Sequence, residues 1–154
     1  VEDLQKLLGQ LMIMINLVGH PSDQIVHDIN SERGKEGLPA LYQNKKLQDS
    51  ATKKANDMVT NKYFSHTNTE GQLPWNLIKQ SGYNYTKAGE NLGRGYPNDA
   101  DLIQAWMDSL KHKENILNPN YTDIGTGTAD QYTVQHFGAT KEPTVLDYLL
   151  GRMK

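Results

Sequence analysis

The side chains able to do chemistry are few: the five histidines (His20, His27, His66, His112, His136), the acids Glu90, Asp108 and Glu114, and Ser109. Imidazole with carboxylate suits two tasks. Neutral imidazole is a common ligand for divalent metals, and a carboxylate can fix its tautomer; the same pair can move protons near neutral pH. There is no cysteine, which excludes disulfides, thiolate nucleophiles, Cys-bound zinc and iron–sulfur clusters. No G-x-S-x-G elbow, P-loop or H-E-x-x-H motif is present. "GENLGRG" at 89–95 lacks the first two glycines of a dinucleotide-binding loop.

Asp108 and His112 are four residues apart, so on a continuous helix the acid shares a face with the ring and can orient it. Glu114 would point away. His66, Glu90 and His112 lie 24 and 22 residues apart, so only tertiary structure can join them. Read alone, "YFSHTNTEG" (63–71) is a helix end running into a turn, with the His66 ring bonded to a loop carbonyl.

The elements that must position these groups follow from periodicity. Leu4, Leu7, Leu8, Leu11, Met14, Ile15 and Val18 predict an amphipathic helix, closed by "GHPSD". A second helix is predicted over "DQIVHDINSERGKEG", capped by Ser22 or Asp23, with Ile25, Val26 and Ile29 inward. A third carries Leu47, Ala51, Ala55, Met58 and Val59 on its inner stripe. Pro74 and Gly82 bracket a short helix. "NYTKAGENLGRGYPND" has four Gly and Pro residues in sixteen and reads as a loop with at most a short strand. One helix is predicted through "DADLIQAWMDSLKHKENILNPN", ended by Pro119. Two short strands follow around an Ala129–Asp130 turn, with Tyr132, Val134 and His136 on one face and Thr133, Gln135 and Phe137 on the other. "TVLDYLLGRMK" predicts a last helix with Thr144 as N-cap and Leu146, Leu149, Leu150 and Met153 inward. Helices first and a late hairpin argue for an α+β domain.

The chain has 154 residues, 36% of them hydrophobic, and a net charge of -2. One domain is expected over 23–139, with an N-terminal helical extension (1–22) and a C-terminal helix (140–154) packed on it. Charges are mixed and no basic block occurs, which argues against nucleic acid as a partner. The apolar run at 11–19 is too short to span a bilayer, so no transmembrane segment is expected. "VEDLQK" is unlike the basic start of a signal peptide.

The order of motifs is more specific than any of them singly. "NSER…GLPAL", "YFSHTNTEG", "GENLGRGY", "AWMDSLKHKENILNPNYTDIGTG" and "YTVQHFG" follow one another through residues 25–138. This resembles the CAP superfamily (cysteine-rich secretory, antigen 5 and pathogenesis-related 1, or SCP-like, proteins), in its cysteine-free bacterial branch. The resemblance implies an α–β–α sandwich with a small central antiparallel sheet of three strands. It also implies a secreted, extracellular protein whose cleft holds two histidines and two acids, which in some members bind a divalent metal. By motif, the first histidine falls on His66, the first acid on Glu90 and the second histidine on His112. The second acid has no clear counterpart: Ser109 stands nearest, with Asp108 beside it as a substitute. Where the bacterial pattern has Ser-Pro-Gly-His this chain has "SLKH", so a continuous helix would present His112 differently.

Three functional readings stand side by side. One is a binding module whose cleft takes a metal (zinc foremost, or magnesium or calcium) or a small lipid-, sterol- or glycan-like ligand, and whose surface meets a protein or cell-surface partner. The second is a metal-dependent hydrolase or protease, with Glu90 as ligand or base. The third is an interaction protein that uses its terminal helices, with oligomeric state open. Asn91 and Asn115 are expected to support the cleft by side-chain-to-backbone bonds. Tyr63, Phe64, Trp75 and Trp106 are expected in the core, His136 as a partly buried, satisfied strand residue, and His20 and His27 at the surface or as caps.

Overall fold

The computed structural model describes residues 21–140 and, further on, Leu149 alone. The helix predicted over residues 4–18 and the Thr144 cap lie outside the described residues, and Leu149, expected on an inward face, is exposed. The elements are α1 (Pro21–Lys35), β1 (Tyr42–Gln43), α2 (Lys45–Asn61), α3 (Pro74–Gln80), β2 (Tyr85–Arg94), α4 (Asp99–Asp108), α5 (Leu110–Ile116), β3 (Asp123–Ala129) and β4 (Tyr132–Thr140).

The strands form one sheet in the order β1-β3-β4-β2. The three long strands are antiparallel, as expected. The two-residue β1 adds a fourth, parallel to β3, which the family resemblance did not imply. Strand alternation gives the sheet two apolar faces. On one, Tyr132 and Val134 pack with Leu92 against Ala51, Ala55 and Met58 of α2. On the other, Ile124 and Phe137 pack against Ile25 and Ile29 of α1, Trp106 of α4 and Ile116 of α5. The result is an α–β–α sandwich.

Helix α2 lies very close to β3, and the "GTG" of β3 is the reason. A Cβ on Gly125 would stand 2.1 Å from the Gln48 nitrogen, and one on Gly127 would stand 2.2 Å from the Thr52 nitrogen. Glycine at both places lets helix backbone rest on strand backbone. Ala51 and Ala55 continue the small-residue seam. Asn44 starts the helix by accepting from the amides of Lys46 and Leu47, an N-cap. Lys62 ends it in the left-handed conformation (φ 54°), which turns the chain toward His66.

Four expectations need correction. The region read as loop is mostly β2, a ten-residue strand. The single helix predicted over residues 99–120 is two: Ser109 is extended (φ -101°, ψ 119°) and separates α4 from α5. Helix α1 is already formed at Pro21, ahead of the predicted Ser22 or Asp23 cap. Phe64, expected in the core, is exposed, stacked on Tyr132 with the Arg94 guanidinium over its ring.

Strand β2 is a sheet edge, and its outward carbonyls are capped by side chains. Tyr121 Oη donates to Ala88 O (3.1 Å), Asn115 Nδ2 to Glu90 O (3.1 Å) and Trp106 Nε1 to Leu92 O (2.9 Å). Positions 88, 90 and 92 point the same way in a strand, so three donors on the far layer satisfy one edge. The capping protects the edge from pairing with another chain and draws α4 and α5 alongside Glu90.

Candidate functional site

Glu90 sits at the centre. Its side chain is 1% exposed, and both carboxylate oxygens are used. His66 Nδ1 donates to Oε1 (2.7 Å) and His136 Nε2 to Oε2 (2.8 Å). His136 stands directly opposite Glu90 in the β2–β4 ladder, so the register builds this contact. Burial pushes the Glu90 carboxyl up, but the hydrogen bonds from His136 and His66, then the charges of His136 and Lys54, outweigh it and hold the group below the usual range.

Helix α2 supplies the rear of the site. Ser50 Oγ lies 2.7 Å from His136 Nδ1 and 2.9 Å from Leu47 O. Lys54, 1% exposed, donates to His66 O at 2.7 Å and stands 4.9 Å over the Tyr63 ring. Burial pulls the Lys54 ammonium pKa down, and Glu90 and Asp57 oppose that shift. Lys54 therefore ties the His66 backbone to α2 and serves as a nearby counter-charge to Glu90.

His112 forms the opposite wall. The extended Ser109 restarts the helix, placing His112 three residues on, where its Nδ1 meets Ser109 Oγ at 2.9 Å. Asn91 Nδ2 donates to His112 O (3.2 Å), and Asn115 Nδ2 joins Asn91 Oδ1 (2.8 Å). Burial, then the neighbouring His66, lower the His112 pKa, which favours the neutral ring.

His66, Glu90, Ser109, His112 and Asn115 all line one open cleft of about 650 Å³, with Leu73, Pro74 and Trp75 as an apolar wall. Trp75, expected in the core, is only partly buried, whereas Trp106 is buried. Asn91 lies beneath the cleft, fully buried. Asp108 does not reach it. The break at Ser109 removes the shared face with His112, and exposed Asp108 instead accepts from Gln104 Nε2 at 3.0 Å. His27 is exposed, and His20 lies outside the described residues. His136 was expected to be partly buried; it is fully buried and is the second imidazole on Glu90.

A sequence model of the cysteine-rich secretory protein family, CAP, matches residues 26–140. The chain belongs to the CAP family. Among curated proteins it is similar to "Uncharacterized protein YkwD" of Bacillus subtilis, at 37% identity over 111 residues, covering 72% of this chain and 43% of that protein. It is also similar to "Uncharacterized membrane protein YlbC" of the same organism, at 29% identity, covering 74% of this chain and 33% of that protein. The chain thus spans less than half the length of either relative. Among solved structures, an extracellular SCP-domain protein of Bacillus anthracis matches with TM-score 0.75 and 28% identity, covering 78% of this chain and 40% of that one. An outer surface protein of Borrelia burgdorferi matches with TM-score 0.71 and 26% identity, covering 77% of this chain and 92% of that one.

Two arrangements of this CAP domain bear on chemistry. Ser50, His136 and Glu90 form a serine–histidine–acid chain, but Ser50 is 0% exposed, so its hydroxyl is not a nucleophile for an outside substrate. For a metal, no group of three His, Cys, Asp or Glu side chains among the described residues is placed to hold one ion. Glu90 is occupied at both oxygens. The imidazole donors that line the cleft are His66 and His112. Each has Nδ1 tied to a second group, and among the described residues no hydrogen bond engages either Nε2. That is the outer-shell support seen behind metal-ligating imidazoles.

Proposed function

We propose that this CAP domain is an extracellular binding module whose cleft takes a divalent metal, zinc foremost, through Nε2 of His66 and His112, together with a small ligand against Leu73, Pro74 and Trp75. The observation that carries this reading is the paired tethering of Nδ1, by the Glu90 carboxylate and by the Ser109 hydroxyl; with Nδ1 as the donor in both bonds, each ring keeps a lone pair on Nε2. The lowered His112 pKa favours the ligating form. Zinc suits imidazole donors better than magnesium or calcium, which prefer oxygen. When bound, the ion would draw an electron-pair donor of the small ligand into the cleft. The chain's own residues orient the rings: Glu90 and Lys54 hold His66, and Ser109 and Asn91 hold His112.

The hydrolase reading is weaker. Catalytic zinc usually has three protein ligands and one open position, and the described residues offer two. An extracellular setting is supported by the descriptions of two structural neighbours as an extracellular protein and an outer surface protein. The test is calorimetric titration of zinc into the wild-type chain and into His66→Ala and His112→Ala. Saturable binding lost in both variants is expected. No binding to the wild type, or unchanged binding in both variants, would sink the metal site.

A further inference from the structure

On the sheet face opposite Glu90 and His136, three buried polar atoms have no hydrogen-bond partner among the described residues: Thr126 Oγ1 and both amide atoms of Gln135. Gln135 is 0% exposed and Thr126 3%. They are direct neighbours across β3 and β4 (Thr126↔Gln135), and Gln135 is flanked on its other side by Asn91 of β2. Asn91 makes no bond to Gln135: its nitrogen donates to His112 O and its oxygen accepts from Asn115.

We propose that Thr126 and Gln135 form an internal hydration site holding ordered water between the sheet and the α1–α4–α5 layer. A buried amide offers two N–H donors and an acceptor oxygen, and a hydroxyl adds one donor and two lone pairs. Leaving such groups unpaired is costly, and native interiors satisfy them with water where protein donors do not reach. The ligand class follows from the donor set. Both residues are neutral, and the buried acid and imidazole of the site, Glu90 and His136, lie on the other sheet face, so the pair suits water rather than a metal ion. Space is present at the Thr126 end of the pair: a small cavity lined by Thr126, Val26 and Ile124, though not by Gln135, has a volume of about 10 Å³, on the scale of one water probe. The β2–β4 register puts the β4 hydrogen bonds of Gln135 toward β2, so Thr126 and Gln135 face each other in a non-hydrogen-bonded pair of the β3–β4 ladder. Side chains approach most closely in such pairs. One water can then accept from one of these residues and donate to the other. The row Thr126, Gln135, Asn91 ends at Asn115, so hydration at its inner end backs the asparagines beneath the cleft.

The test is water–protein NOE and ROE spectroscopy on the 15N-labelled wild-type chain, reading the side-chain amide of Gln135. Cross-peaks to water with the sign of a long-lived contact are expected, retained in Thr126→Ser and reduced at least twofold in Thr126→Val. Absence of water cross-peaks in the wild type, with contacts from that amide to protein acceptors instead, would overturn the site. An unchanged peak in Thr126→Val would overturn the pairing with Thr126. Zinc plays no part in either readout, so failure here is distinct from failure of the metal site.

Discussion

Replacing Glu90 by glutamine perturbs one atom and two hydrogen bonds. The carboxylate accepts from His66 Nδ1 at 2.7 Å and His136 Nε2 at 2.8 Å. A glutamine has one acceptor oxygen and one NH₂ donor, so it can accept from only one of the two imidazole N–H groups. Lys54, 1% exposed, would lose a nearby negative charge. Removing one partner of a buried charged set typically costs about 3–5 kcal/mol, because the remaining charge stays buried. For a domain of this size that is a fall of roughly 6–20 °C in Tm. The pH dependence gives a second, independent signature. The folded-state pKa of Glu90 is held below its ordinary value of 4.5. The wild type therefore has the full contribution of Glu90 above that value and loses it as pH falls through the lowered folded pKa. Glu90→Gln has no such group to lose. The stability gap between the two chains, measured by urea unfolding, should narrow as pH falls below about 4.5. Other carboxylates titrate in both chains and cancel. A gap below about 1 kcal/mol at neutral pH, or one that stays flat through the acid range, would refute the account of Glu90 as a buried anion held by two imidazoles.

Gly125→Ala should destabilise the fold by about 3 kcal/mol or more, since overpacking here meets helix backbone rather than a flexible side chain. The new Cβ would lie 2.1 Å from the Gln48 nitrogen and 2.2 Å from the Leu47 carbonyl carbon. Urea unfolding checks this, and a loss below about 1 kcal/mol would mean α2 does not rest on β3 as described. NMR titration in metal-free buffer should place the His112 midpoint below 6.5, with its stability contribution present above 6.5 and lost as pH falls through the lowered value. A midpoint at or above 6.5 would contradict the burial and the proximity to His66.

The layers and the β3–β4 hairpin follow from patterns visible in the chain, yet strand β2 and the break between α4 and α5 are concealed for physical reasons. Strand β2 reads as a loop because of its glycines. A Cβ on Gly89 would stand 2.4 Å from Tyr121 Oη, and one on Gly93 would stand 2.3 Å from a Leu102 methyl. Those glycines are made necessary by a neighbouring layer, which no local pattern reports. The break at Ser109 was hidden because apolar periodicity continues on both sides of it, and only the serine hints at a new helix start. The site divides in the same way. The order of motifs along the chain points to His66, Glu90 and His112, which line one cleft; Asp108 does not join them because the helix breaks at Ser109.

Ser50 and Lys54 have no place in the sequence reading and His136 only a structural one, although a signal for all three exists. The buried face of α2 is Leu47, Ser50, Ala51, Lys54, Ala55 and Met58. These are positions i, i+3, i+4, i+7, i+8 and i+11, the full width of an amphipathic stripe. A lysine and a serine inside that stripe are buried by periodicity, and a buried lysine needs a partner. His136 makes the same point on β4, alternating inward with Tyr132 and Val134. Polar residues in phase with an apolar stripe thus marked the rear wall of the cleft. His66 is more than half exposed on a loop, yet it is held by Glu90 from the side and by Lys54 through its carbonyl. An exposed imidazole has little reason to be fixed by two buried, oppositely charged groups unless its orientation matters to something that enters from solvent.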